Sequence, residues 1–451
     1  MERITVTFEA GGAGRGRLTW GQQQVFQAMR EMGSSMSMGG VVPVQDGRTV
    51  ADFAGELRFF MRRYPSMRTL LRFAPDGTTT QEVFASGEAG LEVHTAGTDP
   101  PAAAALAAEV FAAWKARTFD YTTEWPIRMA VVRSGADGPV THVLVEVCHI
   151  ATDATGLATM IRELPRRHEL GPAPATGPLE VVAQQRTATR QTDNAMRHWE
   201  SQLRTIPPQR FPDGYREPRA PRFRQLVWTS PALHAASERL AALLSIDTAP
   251  VLLAAYAVAF TRVVGAAPFA TQVIVGNRFR PGLADVVSPF SQNGLVVLDP
   301  RGITAEEAVL RARRSSLSAS KYAYYDPATR QALIGRVAKD RGEPIDLQVF
   351  YNERRLALRA PQSTPDGPAI LALRPQTTCL RESPLPYFNE KLMLNIDDVP
   401  GTIQITTEVD TAYLRAESVH RLLEEMEHFT VAAALNPAAP ALPDLPTGAA
   451  R

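Results

Sequence analysis

The residues of this chain whose types and spacing suit chemistry lie in "VLVEVCHIATDATGLATM", residues 143 to 160, where His149 and Asp153 stand four positions apart. An imidazole titrates near neutrality and can act as a general base, and a neighbouring carboxylate can orient the ring or anchor the loop around it. Strand alternation puts Val143, Val145, Val147 and His149 on one face, and His142, Leu144, Glu146 and Cys148 on the other. Cys148 and His149 therefore face apart, which speaks against a cysteine–histidine nucleophile pair built from these neighbours. Beyond His149 the period becomes helical, with Leu157, Met160, Ile161 and Leu164 at i, i+3, i+4 and i+7. The pattern predicts a histidine at a strand end, an aspartate in the turn and a helix after it. Two readings fit: a reaction centre, or an Asp153 that only caps the helix beside a hydrogen-bonded His149 at the strand end. HxxxD could also supply two metal ligands, but no third stands at a recognisable spacing, so no metal is expected.

Other chemistries find less support. GxSxG and GxxxxGK[ST] do not occur, and the Gly-rich "GGAGRGR" (11 to 17) lacks the phosphate-binding lysine, so it reads as a turn. Lys+Arg 48 against Asp+Glu 47 leaves a charge of +1, which gives no pull towards nucleic acid or an anionic membrane. The two cysteines, Cys148 and Cys379, form neither a pair pattern nor a metal cluster, which fits a reducing compartment. No signal-peptide apolar region opens the chain, and the longest apolar run, "APVLLAAYAVAF", is too short to cross a bilayer. A soluble, cytoplasmic protein is the expectation.

A chain of 451 residues with 45% hydrophobic content has material for two cores. The first half reads as a strand "RITVTF", a helix from Thr19 with Gln22 completing a capping pair, and a flexible loop "GSSMSMGG" (33 to 40). A helix ending at Pro65, the strands "TLLRFA" and "QEVFA", an Ala-rich helix and the hairpin "IRMAVVR"/"VTHVLVEVCHI" follow. "RRHELGPAPATGPLE" (166 to 180) has the composition of an exposed linker, and a second Pro-rich stretch runs to 223. Helices and strands then alternate to a closing hairpin and a helix carrying Val419, Leu422, Leu423 and Met426 on one stripe. Two α/β lobes are predicted, 1–170 and 171–451, with a disordered tail from about 436.

"CHIATDA" resembles the HHxxxDG signature of the condensation domains of nonribosomal peptide synthetases, whose relatives with a chloramphenicol-acetyltransferase-like fold share the HxxxD kernel. "LTWGQQQVF" is similar to the opening motif of that family, "RYPSMRT" to its RHxxLRT element, and "HWESQL" to its YWxxxL helix. "VIVGNRFRP" resembles its strand ending in G-x-x-x-x-R. "SPFSQNGLVVL" resembles GxFVNTxPLR with a one-residue slip, which favours Asn293 over Gln292 as the counterpart of the motif's asparagine, and "YAYYDPATRQAL" is a shortened HQDxPFExL. The final hairpin and "YLRAESVHRLLEEMEHF" resemble the closing elements, so the likeness runs in order from about 15 to about 435.

The resemblance implies two chloramphenicol-acetyltransferase-like α/β (α+β) lobes in a V-shaped pseudo-dimer, with a central tunnel. It implies acyl transfer with no bound cofactor: the donor rides on the phosphopantetheine arm of an acyl or peptidyl carrier protein acting in trans, or on coenzyme A, and the acceptor is a small-molecule nucleophile. His149 matches the tunnel histidine. Asp153 matches the aspartate held by an arginine, for which Arg68 is the first expectation and Arg63 the second. Cys148, Ala154, Gly156 and Asn293 are placed along the tunnel, with the Cys148 side chain turned away from it. Cys148 stands where the family has its first histidine, and Ala154 where it has glycine. A backbone at 154 with φ > 0 would strain alanine, and Gly156 could then restore freedom. Three functions follow: a free-standing condensation enzyme making an amide or ester in natural-product (antibiotic) biosynthesis, a degenerate docking platform that recruits a partner enzyme to carrier-bound peptide, or a coenzyme A-dependent acyltransferase.

Overall fold

The structure, a computed structural model, describes residues 1–136, 138–171, 176–211, 220–355 and 365–442. By its contacts the chain forms two compact units, Met1–Thr189 with Gly276–Gln292, and Arg190–Val275 with Asn293–Arg451.

The first unit contains strands β1 (Glu2–Glu9), β2 (Gly14–Arg17), β3 (Met38–Pro43), β4 (Thr69–Phe73), β5 (Thr79–Val83), β6 (Ser86–Ala96), β7 (Ile127–Ser134) and β8 (Val140–Val147). Its helices are α1 (Trp20–Met32), α2 (Val50–Arg63), α3 (Pro100–Lys115), α4 (Ala154–Glu163) and α5 (Pro178–Arg186). The main sheet has the order β1-β6-β7-β8-β3, with β6 and β7 parallel, and a smaller sheet runs β2-β5-β4. Alternation along β7 and β8 gives each face its own core. Met129, Val131, Val143 and Val147 meet Phe53, Leu57, Phe60 and Met61 of α2, while Ala130, Val132 and Leu144 meet Ala103, Ala107 and Trp114 of α3. A sheet covered on both faces holds β8, and with it His149, in a fixed frame.

The second unit has strands β9 (Phe223–Ser230), β10 (Phe269–Val275), β11 (Gln292–Leu298), β12 (Val349–Glu353), β13 (Thr378–Leu385), β14 (Leu392–Val399) and β15 (Thr402–Asp410), in the order β11-β10-β12-β14-β15-β9-β13. Its helices are α6 (Thr189–Leu203), α7 (Pro231–Leu244), α8 (Ala249–Val264), α9 (Ala305–Lys321), α10 (Pro327–Arg341), α11 (Gly367–Leu373) and α12 (Ala416–Leu435). The apolar run read as too short for a bilayer is α8, whose residues from Pro250 to Thr261 are all buried. No single helix among the described residues is long and apolar enough to cross a membrane.

Several elements differ from expectation. The glycine-rich "GGAGRGR" contributes β2, paired with β5, because glycine and arginine form an edge strand without an apolar pattern to announce it. "SGEAGLEVHTA", "FRQLVWTS" and "TCLRESPL" are the strands β6, β9 and β13, and the 33–40 loop ends in β3. The expected boundary near 170 falls at 189/190 instead. The "linker" runs into α5, whose Val181 packs with Leu283, Val286 and Phe290 of the first unit, and whose Gln185 accepts the Trp20 N–H at 3.0 Å. Residues 172–175 of that stretch, and 212–219 of the second Pro-rich stretch, lie outside the described residues. The tail expected to be disordered from 436 is instead docked at its start: Glu306 and Ala305 N–H groups donate to Pro437 and Ala439 at 2.9 and 2.8 Å, and Ala441 is fully buried. Residues 443–451 lie outside the described residues.

Trp199 of α6, from the "HWESQL" element, is fully buried in a cluster with Leu203, Leu295, Leu333 and Tyr325. Trp199→Ala is expected to destabilise the second unit by about 3–5 kcal/mol, the usual cost of an aromatic-to-alanine cavity. Urea unfolding followed by far-UV circular dichroism checks this, and a change below about 1 kcal/mol would contradict the packing described.

Candidate functional site

β8 ends at Val147, and Cys148 to Asp153 make a tight turn into α4, closed by the Ala151 N–H on the Cys148 carbonyl at 3.0 Å. His149 lies in this turn, two residues past the strand, with its side chain half-buried. Its backbone N–H donates to Ser35 at 3.3 Å. Its ring Nδ1 lies 2.7 Å from the Thr152 carbonyl oxygen. A carbonyl only accepts, so Nδ1 carries the hydrogen of the neutral ring and Nε2 presents its lone pair. The turn thus selects the tautomer a general base needs. Gln22 supports the turn from α1: its amide donates to Ile150 O at 3.5 Å, while its side chain and Thr19 form the expected capping box.

Asp153 is 3% exposed and is the N-cap of α4. Its Oδ1 accepts from the Gly156 N–H at 2.8 Å and from Nη2 of Arg278 at 2.6 Å, and its Oδ2 accepts from the Phe290 N–H at 3.0 Å. Arg278 also donates to the carbonyls of Leu283 at 3.2 Å, Val286 at 2.6 Å and Ser288 at 3.0 Å. Asn277, in the left-handed region at φ 56°, donates to Phe290 O at 3.0 Å. A buried carboxylate and a guanidinium thereby organise the segment Gly276–Gln292, which leaves β10 and belongs to the first unit.

The arginine that holds Asp153 is therefore neither Arg68 nor Arg63. Arg68 is 2% exposed and donates to the carbonyls of Phe84 and Gly11, both at 2.6 Å; burial lowers its pKa. Arg63 pairs with Glu163 and donates to Gly171 O at 3.2 Å. Arg278 stood in the quoted "VIVGNRFRP", but it lies 125 residues from Asp153, and nothing in its local pattern marks it as a partner. Ser35 and Phe290 bond the site through backbone groups, a contact that no side-chain pattern announces.

The remaining expected site residues separate. Cys148 is fully buried among Leu18, Val25, Phe26, Met29 and Ile150, so it lines no channel, and burial pushes its thiol up to about 12. Ala154 is the exposed first residue of α4 and is not among the described positive-φ residues, so the expected strain is absent. Gly156 matters for space instead of φ: a Cβ there would stand 2.3 Å from Thr152 Oγ1 and 3.3 Å from Nη2 of Arg278. Asn293 belongs to the second unit, 7% exposed, where its amide donates to Gln272 Oε1 at 3.1 Å and its carbonyl accepts from Tyr325 at 2.7 Å. Among the described residues no three His, Cys, Asp or Glu side chains are grouped as metal ligands.

The condensation-domain family model matches residues 17–442. The chain belongs to the condensation-domain family. The solved structures share its fold. SgcC5 from Streptomyces globisporus is 17% identical with a TM-score of 0.69, covering 94% of this chain and 100% of that one. A condensation domain for chain release from the enacyloxin polyketide synthase is 19% identical with a TM-score of 0.68, covering 98% and 86%. The X-domain from teicoplanin biosynthesis is 18% identical with a TM-score of 0.68, covering 96% and 98%. No curated protein sequence matches. In this condensation domain the HxxxD kernel is intact, and its two departures are absorbed by a core thiol at 148 and a helical alanine at 154.

Two outcomes follow. Arg278→Ala strands a buried carboxylate and is expected to cost about 3–5 kcal/mol, with Arg278→Ala/Asp153→Ala costing less than the two single changes together. Denaturant unfolding of the four chains measures the coupling, and simple additivity would contradict the ion pair. Under native conditions iodoacetamide is expected to label the half-buried Cys379 and to leave Cys148 unmodified until the protein unfolds, as peptide mass mapping would show.

Proposed function

We propose that this condensation domain is an acyltransferase that joins a carrier-bound acyl or aminoacyl group to an amine or alcohol. The observation that carries the reading is the His149 ring, tethered through Nδ1 to Thr152 O so that Nε2 is left to accept a proton. The acceptor N–H or O–H loses its proton to Nε2 as its N or O attacks the thioester carbonyl. The new C–N or C–O bond forms, the C–S bond breaks, and the departing thiolate takes the proton from the imidazolium. A thioester is already activated, so positioning plus one proton acceptor suffices, the latter worth roughly 10²–10⁴-fold. Asp153, saturated by Arg278, Phe290 and Gly156, keeps the turn in place and handles no proton.

Likeness to known proteins supports the same class of partner. The SgcC5 structure contains an aryl ethanediol, and another similar chain is a four-domain nonribosomal peptide synthetase. A phosphopantetheine arm of a carrier protein acting in trans is the donor we favour. The platform reading has a counterpart in the teicoplanin X-domain complex with OxyB, but the intact kernel and the set tautomer favour chemistry here.

Loaded carrier protein mixed with candidate amines and alcohols, read by intact mass, tests the proposal. Transfer is expected, and His149→Ala is expected to slow it by about 10²–10⁴-fold with carrier binding retained. Unchanged turnover in that variant removes His149 from the mechanism. Binding without turnover by the unaltered chain selects the platform, and equal use of the free coenzyme A thioester removes the carrier requirement.

A further inference from the structure

In the loop between α1 and β3, Ser35 is 4% exposed while Ser34 and Met36 on either side of it are open to solvent. Its hydroxyl accepts the Phe119 N–H at 2.8 Å and meets the Tyr121 hydroxyl at 3.1 Å. Its carbonyl accepts the His149 N–H at 3.3 Å and stands 3.9 Å from the Cys148 Sγ. One residue therefore joins the stretch between α3 and β7 to the turn that carries His149.

The stretch to which Ser35 is moored is itself fixed. Arg128, 6% exposed, donates to the carbonyls of Trp114, Arg117 and Thr118 at 3.1, 3.1 and 3.2 Å, and its guanidinium lies 3.8 Å from the centre of the Phe119 ring. The same guanidinium pairs with Glu124 at 2.7 Å and with Glu146 of β8 at 2.9 Å. The Tyr121 carbonyl accepts from Leu71 of β4 at 2.7 Å.

Packing alone restrains the His149 turn less well. Cys148 and Ile150 share one apolar cluster with Phe119, but apolar contact is non-directional and tolerates small slides. A hydrogen bond prefers one length and one direction, so the Ser35 carbonyl supplies the restraint that the cluster lacks. The imidazole is bonded to Thr152 within the same turn, so Nε2 goes where the main chain of the turn goes.

We infer that Ser35 is a positioning residue for His149: its hydroxyl, moored at Phe119 and Tyr121, sets the carbonyl that fixes the His149 main chain and with it the place of Nε2. The inference deepens the acyl-transfer reading and rests on it for the rate predictions, though not for the exchange prediction.

The experiment compares the unaltered chain with Ser35→Ala, Ser35→Thr and Ser37→Ala. Amide hydrogen exchange is followed at residue resolution by mass spectrometry, and rates are taken with S-benzoyl-pantetheine and the nucleophile that the intact-mass screen identifies. Ser35→Ala is expected to speed exchange at His149 about ten-fold while the amides of β8 stay as they were. It is also expected to lower kcat about ten-fold with KM held, since a misplacement of about 1 Å can cost on the order of 10²-fold. A merely structural serine would lower the melting temperature without that split. Ser35→Thr keeps the hydroxyl and is expected to restore both readouts to within about three-fold of the unaltered chain.

Ser37→Ala is the control for general loosening of the loop, because it removes a hydroxyl that donates to Glu146 at 2.5 Å and has no bond to His149. It is expected to leave both readouts within about two-fold. Tyr121→Phe keeps the Phe119 N–H bonded to Ser35 and is expected to show the same split at smaller size, which serves if Ser35→Ala does not fold. Unchanged exchange at His149 or unchanged kcat in Ser35→Ala, or an equal loss in Ser37→Ala, overturns the proposal. Faster exchange at His149 in Ser35→Ala, with no transfer by the unaltered chain, overturns acyl transfer alone.

Discussion

One buried carboxylate holds the site together. Asp153 receives an arginine and two backbone N–H groups from two separate pieces of structure: the Arg278 guanidinium and the Phe290 N–H from near the two ends of the 276–290 segment, and the Gly156 N–H from the first turn of α4. A carboxylate removed from water is costly unless it is both paired and hydrogen-bonded, so the three donors must assemble together. The path of the chain out of β10 and back to β11 is shaped by that requirement, because Arg278 uses its other donors to fold its own loop around itself.

His149 depends on this arrangement at one remove. Its ring is bonded to the carbonyl of Thr152, the residue next to Asp153, so whatever fixes Asp153 fixes the acceptor that selects the tautomer. On the other side, Ser35 takes the His149 N–H and Gln22 reaches Ile150. The turn is thus held from both sides, through its backbone and through the His149 ring.

The departures from the family signature have separate physical explanations. Position 148 points into an apolar cluster, where a small thiol packs well and stays protonated. Position 154 is a helical residue, for which alanine is the best former, so glycine is not needed for its backbone freedom. The glycine that geometry does demand is Gly156, where a methyl would collide with the Thr152 hydroxyl.

The sequence by itself determined the local features: the change from strand to helical period around His149, the opposite facing of Cys148 and His149, the capping box at Thr19 and Gln22, and the family, through motifs in order along the chain. These are short-range consequences of side-chain period and backbone propensity. Strands without an apolar alternation, such as β2 and the outer β13, were not legible, since their partners and not their residues make them strands. Only the tertiary structure decided that Arg278 and not Arg68 neutralises Asp153, that α5 and residues 276–292 belong with the first unit, and that the tail packs back onto α9. A pairing across 125 residues is chosen by which charges the folded core brings together and deprives of water, and that choice is written in no local pattern.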